Sequence, residues 1–151
     1  MTIKPLTYAT IGTSWITADY IASCEETKKW QLTAVYSRNI ETASLFSEKN
    51  NLPREVLLYD DFAEMVANSG VSTIYIASPN SCHVQQSRFF LQRGFNVICE
   101  KPAALCVDDL RELYKIAEEE GVFFFEAFRH IQQPSFGILA DAIKTDRKSV
   151  V

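Results

Sequence analysis

The fold is decided by the stretch YATIGTSWIT at residues 8–17. A short apolar run that suits a buried β-strand ends at Gly12, and a helical pattern begins directly after it. A glycine between a strand and a helix lets backbone N–H groups and a helix N-terminus approach a phosphate. Compared with the pattern GxGxxG, only Gly12 is kept, because Ser14 and Thr17 replace the other glycines. Taken alone, the stretch fits either a phosphate-binding turn or an ordinary tight turn.

The alternation of strand and helix continues along the chain. Near-continuous apolar runs are typical of parallel strands that are buried on both faces, and the segments between them have helical spacing. This order predicts an α/β fold of the Rossmann type, with a doubly wound, mainly parallel sheet and helices on both faces. Asn39 and Asp108 are expected helix N-caps. The predicted strands begin at Tyr8, Leu32, Val71, Phe95 and Val122, with a weaker one at 56–58, and the predicted helices span 16–24, 40–49, 62–68, 84–93, 108–119 and 135–143.

Composition excludes several other classes of protein. The 151 residues are 47% hydrophobic and 23% charged, as in an ordinary globular domain. The net charge of −4 and the lack of a dense basic run argue against a nucleic-acid partner. Four cysteines without a CxxC pair predict reduced structural thiols, and no metal site is expected. No signal peptide or membrane span is recognisable, so we expect a cytoplasmic protein.

The end of the second strand bears on the choice of nucleotide. Ser37-Arg38 lies about 20 residues after the glycine turn, where an acidic residue usually binds a ribose 2′-hydroxyl. A serine and a guanidinium there suit a 2′-phosphate, so NADP is expected in preference to NAD. An arginine that is merely solvated on a loop is the alternative.

Two loops at the carboxyl ends of later strands complete an ordered set of motifs. The motifs are Pro79-Asn80 followed by His83, then Glu100-Lys101-Pro102, and then Glu126-Ala127 with Pro134 beyond. This set resembles the glucose-fructose oxidoreductase, inositol dehydrogenase and MocA-like family (Gfo/Idh/MocA), and the resemblance runs from Tyr8 to about Phe136. It implies an oxidoreductase that transfers hydride between a nicotinamide cofactor and a hydroxyl-bearing carbon of a sugar, cyclitol or related polyol.

The resemblance also implies roles for individual residues. Lys101 is expected near the nicotinamide and the substrate, where its ammonium group assists catalysis. A structural salt bridge with Glu100 is the alternative for Lys101, and packing or capping is the alternative for His83. His130 is a weaker candidate for substrate contact. Cofactor contacts are expected from Gly12, Thr13, Ser14, Trp15, Ile16, Ser37, Arg38, Ser78, Pro79, Asn80, His83, Glu100 and Lys101.

The domain organisation is predicted as a cofactor-binding domain at 1–128, then a crossover helix and the start of a truncated substrate domain at 129–151. Members of the family have a second domain with a catalytic histidine and an acid, so we expect this chain to bind cofactor without turnover. A homo-oligomer is expected. Residues 149–151 look like the start of a strand, and the aromatic residues at 123–128 and Phe136 form an apolar surface that the missing domain would cover.

Two other functions fit parts of the sequence. A non-catalytic dinucleotide sensor of the same fold is favoured by the altered glycine pattern, whereas the intact Glu100-Lys101-Pro102 motif favours an enzyme. A flavodoxin-like phosphate-binding domain shares the fold class but leaves the ordered motifs unexplained.

Overall fold

Residues 4–145 are described by a computed structural model, and they form a six-stranded sheet in which every strand pair is parallel. The strand order is β3-β2-β1-β4-β5-β6. This order reverses direction between β1 and β4, as in the doubly wound nucleotide-binding folds, and it confirms the predicted fold class. The strands are β1 Leu6–Ile11, β2 Trp30–Tyr36, β3 Leu57–Tyr59, β4 Thr73–Ile76, β5 Asn96–Cys99 and β6 Phe124–Glu126.

A helix follows each of the first five strands, and two helical segments follow β6. The helices at 40–49 and 62–68 have the bounds that the sequence predicts. The segments are α1 Trp15–Thr27, α2 Ile40–Lys49, α3 Phe62–Asn68, α4 Asn80–Leu91, α5 Val107–Glu120, a 3₁₀ turn at Arg129–Gln132, and α6 Pro134–Thr145.

Both faces of the sheet carry apolar residues, because successive side chains of a strand point to opposite sides. On one face, Val35 of β2 packs with Ile21 of α1 and Phe46 of α2. On the other face, the larger part of the core joins β1, β4 and β5 to α3, α4 and α5, with Phe90 and Leu113 fully buried. Two helical layers therefore enclose the sheet.

Helix ends differ from the prediction in two places. Cys106, not Asp108, is the N-cap of α5, and its thiol accepts from the backbone N–H of Asp109 at 3.5 Å. Asp108 lies inside the first turn, where its charge still favours the helix. Helix α4 begins four residues before the predicted position 84, because Pro79 provides an N-cap backbone conformation with a φ of −58°. Asn39 caps α2 as predicted.

The aromatic run at 123–125 does not lie entirely in the core. Phe124 is buried, but Phe123 and Phe125 are 66% and 56% exposed. Helix α1 leaves part of its side of the sheet uncovered. A cavity of about 450 Å³ lies there, between α1 and the segment that follows β6. We call the exposed apolar residues from position 123 onward the C-terminal apolar surface; its large members are Phe123, Phe125, Phe128, Ile131, Phe136, Ile138, Leu139 and Ile143.

Residues 146–151, which include the predicted strand start at 149–151, lie outside the described residues. The predicted domain boundary at residue 128 falls between β6 and the 3₁₀ turn. Helix α6 has no buried residue among those described.

Candidate functional site

Gly12 connects β1 to α1 in a conformation that other residues rarely adopt. Its φ is +109°, and a Cβ atom built on it would lie 2.6 Å from the carbonyl oxygen of Ala77. That carbonyl lies at the end of β4, where the Ala77 N–H donates to the Ile11 carbonyl at 2.9 Å. The turn thus brings the ends of β1 and β4 together where the order of the strands reverses. This is the position at which open α/β sheets bind ligands.

The two helices that begin at this position have no side-chain cap. Ser14 precedes α1 and Pro79 precedes α4, and neither side chain bonds a helix N–H. In contrast, α2, α3 and α5 are capped by Asn39, Asp61 and Cys106. The first turns of α1 and α4 also contain no acidic residue. Both N-termini therefore present backbone N–H groups and positive dipole ends, which favour an anion.

A cavity of about 480 Å³ lies over these two helix ends. Its size is in the range of small-molecule and cofactor sites. Among the residues expected to contact a cofactor, only Trp15 does not line this cavity; it is 69% exposed and lines an adjacent hollow of about 250 Å³. The cavity is lined by Ile11, Gly12, Thr13, Ser14, Ile16, Tyr36, Ser37, Arg38, Ala77, Ser78, Pro79, Asn80, Cys82, His83, Gln86, Glu100 and Lys101.

The end of β2 forms one side of the cavity. Ser37 is buried, and its N–H donates to the Tyr59 carbonyl at 3.0 Å. Arg38 is exposed and forms no ion pair within residues 4–145. Burial raises the pKa of the Tyr36 hydroxyl, nearby carboxylates add to the rise, and the Arg38 charge opposes it. The guanidinium is thus held at the cavity without a protein counter-ion.

The loop after β5 forms the opposite side. Glu100 is buried, and its Oε1 accepts from the Tyr75 hydroxyl at 2.8 Å. Burial, and then this bond to a carboxylate, raise the pKa of Tyr75 above its ordinary value. Lys101 is exposed, and no ion pair joins it to Glu100 in the part of the chain that the structure describes. The salt-bridge alternative for Lys101 is therefore not what the structure shows.

The two histidines lie in different surroundings. His83 is 1% exposed, and its two ring nitrogens each lie 2.8 Å from a backbone carbonyl oxygen, those of Pro102 and Ser78. This geometry matches the packing alternative more closely than a direct cofactor contact. His130 is exposed, lies in the 3₁₀ turn and does not line the main cavity.

Five lining residues were not predicted from the sequence. Ile11 is the last residue of β1, Ala77 directly follows β4, and Tyr36 precedes the predicted Ser37. Cys82 and Gln86 share a face of α4 with His83, so helical spacing was a usable signal for both. The Gln86 Oε1 accepts from the Ser78 hydroxyl at 2.6 Å.

The part of the chain that the structure describes supports neither a metal site nor a membrane-spanning helix. Within residues 4–145, no three His, Cys, Asp or Glu side chains are grouped as metal ligands would be. The helices in that range are too short and too polar to span a bilayer. All four cysteines are free thiols, as predicted, although Cys106 is exposed.

The parallel strand order, the glycine turn and a cavity at the point of reversal define a dinucleotide-binding domain. Residues 6–128 match the Gfo/Idh/MocA family, described as an oxidoreductase family with an NAD-binding Rossmann fold. The chain belongs to this family, as the motifs implied, and it is an NAD(P)-binding domain.

Relatives and solved structures agree with this assignment. The chain is 38% identical over 129 residues to scyllo-inositol 2-dehydrogenase (NADP(+)) IolU of Bacillus subtilis, covering 85% of this chain and 38% of that protein. It is also 38% identical over 136 residues to the oxidoreductase YgjR of Escherichia coli, covering 90% and 40%. The WlbA dehydrogenase of Bordetella pertussis, solved with NADH and UDP-GlcNAcA, has a TM-score of 0.85 at 19% identity over 97% of this chain and 44% of that one. The chain spans about two fifths of the length of these relatives.

Proposed function

We propose that this chain is the cofactor-holding part of an oxidoreductase that oxidises a hydroxyl-bearing carbon of a sugar, cyclitol or related polyol, or runs the reverse reduction. The observation that carries the proposal is the cavity, to which the fold brings Gly12, Arg38 and Lys101 from three distant parts of the sequence. The relative named as a scyllo-inositol dehydrogenase supports a polyol substrate.

The residues of the cavity fit a dinucleotide. The lack of a side chain at Gly12 lets the turn after β1 approach the Ala77 carbonyl, and the uncapped N-termini of α1 and α4 offer a pyrophosphate N–H donors. Ser14 replaces a glycine of the usual pattern, and its hydroxyl is a further donor to phosphate.

Arg38 is assigned to the 2′-phosphate of NADP. Its guanidinium group lines the cavity, carries a full charge and has no acidic partner among the described ion pairs. Ser37, beside it, supplies a hydroxyl. With NAD, the guanidinium faces a neutral ribose, so the site favours NADP.

Lys101 is assigned to the reacting oxygen. A bound nicotinamide cofactor would supply the hydride acceptor for oxidation of the alcohol, in which a base takes the hydroxyl proton, and the hydride donor for the reverse reduction, in which that proton is returned. An ammonium group at the cavity edge donates a hydrogen bond to the oxygen of the alcohol, which becomes the carbonyl oxygen. Lys101 is the lysine of the cavity, and it is exposed on the side where a substrate approaches.

The C-terminal apolar surface is assigned to assembly. Large exposed apolar patches on globular proteins mark interfaces, and this one combines the stacked pair Phe123 and Phe125 with the uncovered side of α6. We propose a homo-oligomeric, cytoplasmic protein in which this surface is covered.

A titration of the purified chain with NADPH and NADH tests the cofactor assignment. Loss of a hydrogen-bonded charge contact costs about 1.5–3 kcal/mol, so Arg38→Ala should weaken NADPH binding by roughly 10- to 100-fold. NADH binding should change little, because NADH has no 2′-phosphate. Equal losses for both nucleotides, or no binding of either to the unmodified chain, would contradict the assignment.

Arg54→Ala is the matched control. Arg54 lies before the amino end of β3, whereas the cavity lies at the carboxyl ends of the strands, so its removal changes the net charge by the same amount without touching the residues that line the site. This control should bind NADPH as the unmodified chain does. A similar loss in both variants would show that only the overall charge matters.

A further inference from the structure

His83 lies between the two loops that carry the predicted site residues. It belongs to the first turn of α4, directly after the loop of Ser78, Pro79 and Asn80. Its Nδ1 is 2.8 Å from the Pro102 carbonyl and its Nε2 is 2.8 Å from the Ser78 carbonyl. One ring therefore contacts the loop after β4 and the loop after β5, at partners that are five and 19 residues away from it in sequence, respectively.

We infer that His83 is a positioning residue, which holds the loop of Lys101 in register with the loop of Asn80 so that both face one bound cofactor. The statement that both loops face one cofactor rests on the proposed function. The contact of His83 with the two loops does not, because it is a property of the fold. Because both contacts use ring nitrogens and the ring is 1% exposed, His83 has no nitrogen left for the cofactor.

Two other hydrogen bonds hold the Lys101 loop, but they join it to β4 and β6 and not to α4. The Glu100 N–H donates to the Ile76 carbonyl at 2.8 Å, and the Ala103 N–H donates to Glu126 Oε1 at 2.9 Å. These bonds fix the loop to β4 and to the end of β6, on either side of Lys101 and Pro102. Among the hydrogen bonds of residues 4–145, the His83 bond is the one that fixes this loop to α4, the helix that begins with Asn80.

The hydrogen-bonding groups of the imidazole ring determine which substitutions at position 83 keep the contact. A neutral imidazole has one N–H and bonds one of the two carbonyls, whereas a doubly protonated ring bonds both. Leucine has a similar volume but no donor, so His83→Leu leaves both carbonyls without this partner. Glutamine keeps an amide donor, so His83→Gln retains one of the bonds.

Hydrogen exchange of the chain without cofactor tests the positioning role. In His83→Leu, the amides of Lys101 and Ala103 should exchange about five- to tenfold faster, the factor expected when one hydrogen bond is lost. The amide of Val35, a fully buried residue of β2, should keep its rate. His83→Gln should restore at least half of the lost protection. No change at Ala103, or equal acceleration at Val35, would overturn the inference, because the second result describes general loss of packing.

A second arm separates this inference from the proposed function. NADPH affinity should fall in His83→Leu and recover partly in His83→Gln, while His130→Gln, at the other histidine of the chain, should bind normally. If the unmodified chain binds no NADPH, the proposed function fails, but the exchange rates still decide the role of His83. If His83→Leu does not fold, His83→Ala takes its place beside His130→Gln, and an unchanged Ala103 rate in His83→Ala would overturn the inference.

Discussion

Replacing Gly12 by alanine is the perturbation with the largest effect that the structure predicts outside the core. The backbone at Gly12 has a φ of +109°, a strained conformation that costs a residue with a Cβ about 1–3 kcal/mol. The new Cβ would also lie 2.6 Å from the Ala77 carbonyl oxygen, a backbone atom that cannot rotate away. Forcing such an overlap costs a further ~1–3 kcal/mol. Gly12→Ala should therefore lower the free energy of unfolding by about 2–6 kcal/mol.

Urea unfolding, followed by circular dichroism and by tryptophan fluorescence, measures this loss. The matched control is Gly137→Ala in α6, where no heavy atom lies within 4 Å of the added Cβ. Because alanine is the better helix former, the control should be stabilised by up to ~1 kcal/mol or be neutral. If the free energies of unfolding of Gly12→Ala and of the unmodified chain differed by less than about 0.5 kcal/mol, the close approach of β1 and β4 would not require a glycine. That result would refute the prediction.

Three further results are expected. Glu112 accepts two hydrogen bonds from Arg88, at 2.9 and 2.6 Å, and they lower the pKa of its carboxyl group. The unmodified chain should therefore have a larger free energy of unfolding than Glu112→Gln at neutral pH, and this difference should disappear as the pH falls through the lowered pKa. A difference that persists in strong acid would contradict this. Burial raises the pKa of the Cys99 thiol to about 12, so a disulfide reagent at mildly alkaline pH should modify exposed Cys106 quickly and Cys99 only after unfolding, as mass spectrometry would show. Phe125→Ser should reduce self-association measured by light scattering, because Phe125 is 56% exposed on the C-terminal apolar surface; an unchanged mass would remove Phe125 from the interface.

Much of the fold follows from local pattern. The sequence correctly predicted the glycine turn, the parallel sheet and the helices at 40–49 and 62–68. These features could be predicted because the spacing of apolar residues and the capping residues lie within a few positions of each other. The start of α4 was missed because Asn80, Ser81 and Cys82 carry no apolar stripe. The cap of α5 was misplaced because a cysteine is outside the usual set of capping residues.

Tertiary contacts explain what the sequence could not show. The sequence predicted an apolar surface over residues 123–128, but it did not separate Phe124, which is buried, from Phe123 and Phe125, which are exposed. The two carbonyl partners of His83 belong to loops whose approach depends on the whole sheet. The ordered motifs placed the site residues at strand ends, and the parallel sheet brings those ends to one edge.

The most direct test of the central claim is to locate the bound nucleotide. Amide chemical-shift mapping of the isotope-labelled chain during an NADPH titration reports each backbone position separately. The account predicts saturable shifts at Gly12, Ser37 and Asn80, around the cavity of about 480 Å³. Shifts concentrated instead at Tyr20 and Phe125, around the cavity of about 450 Å³, or no saturable shifts at all, would contradict it.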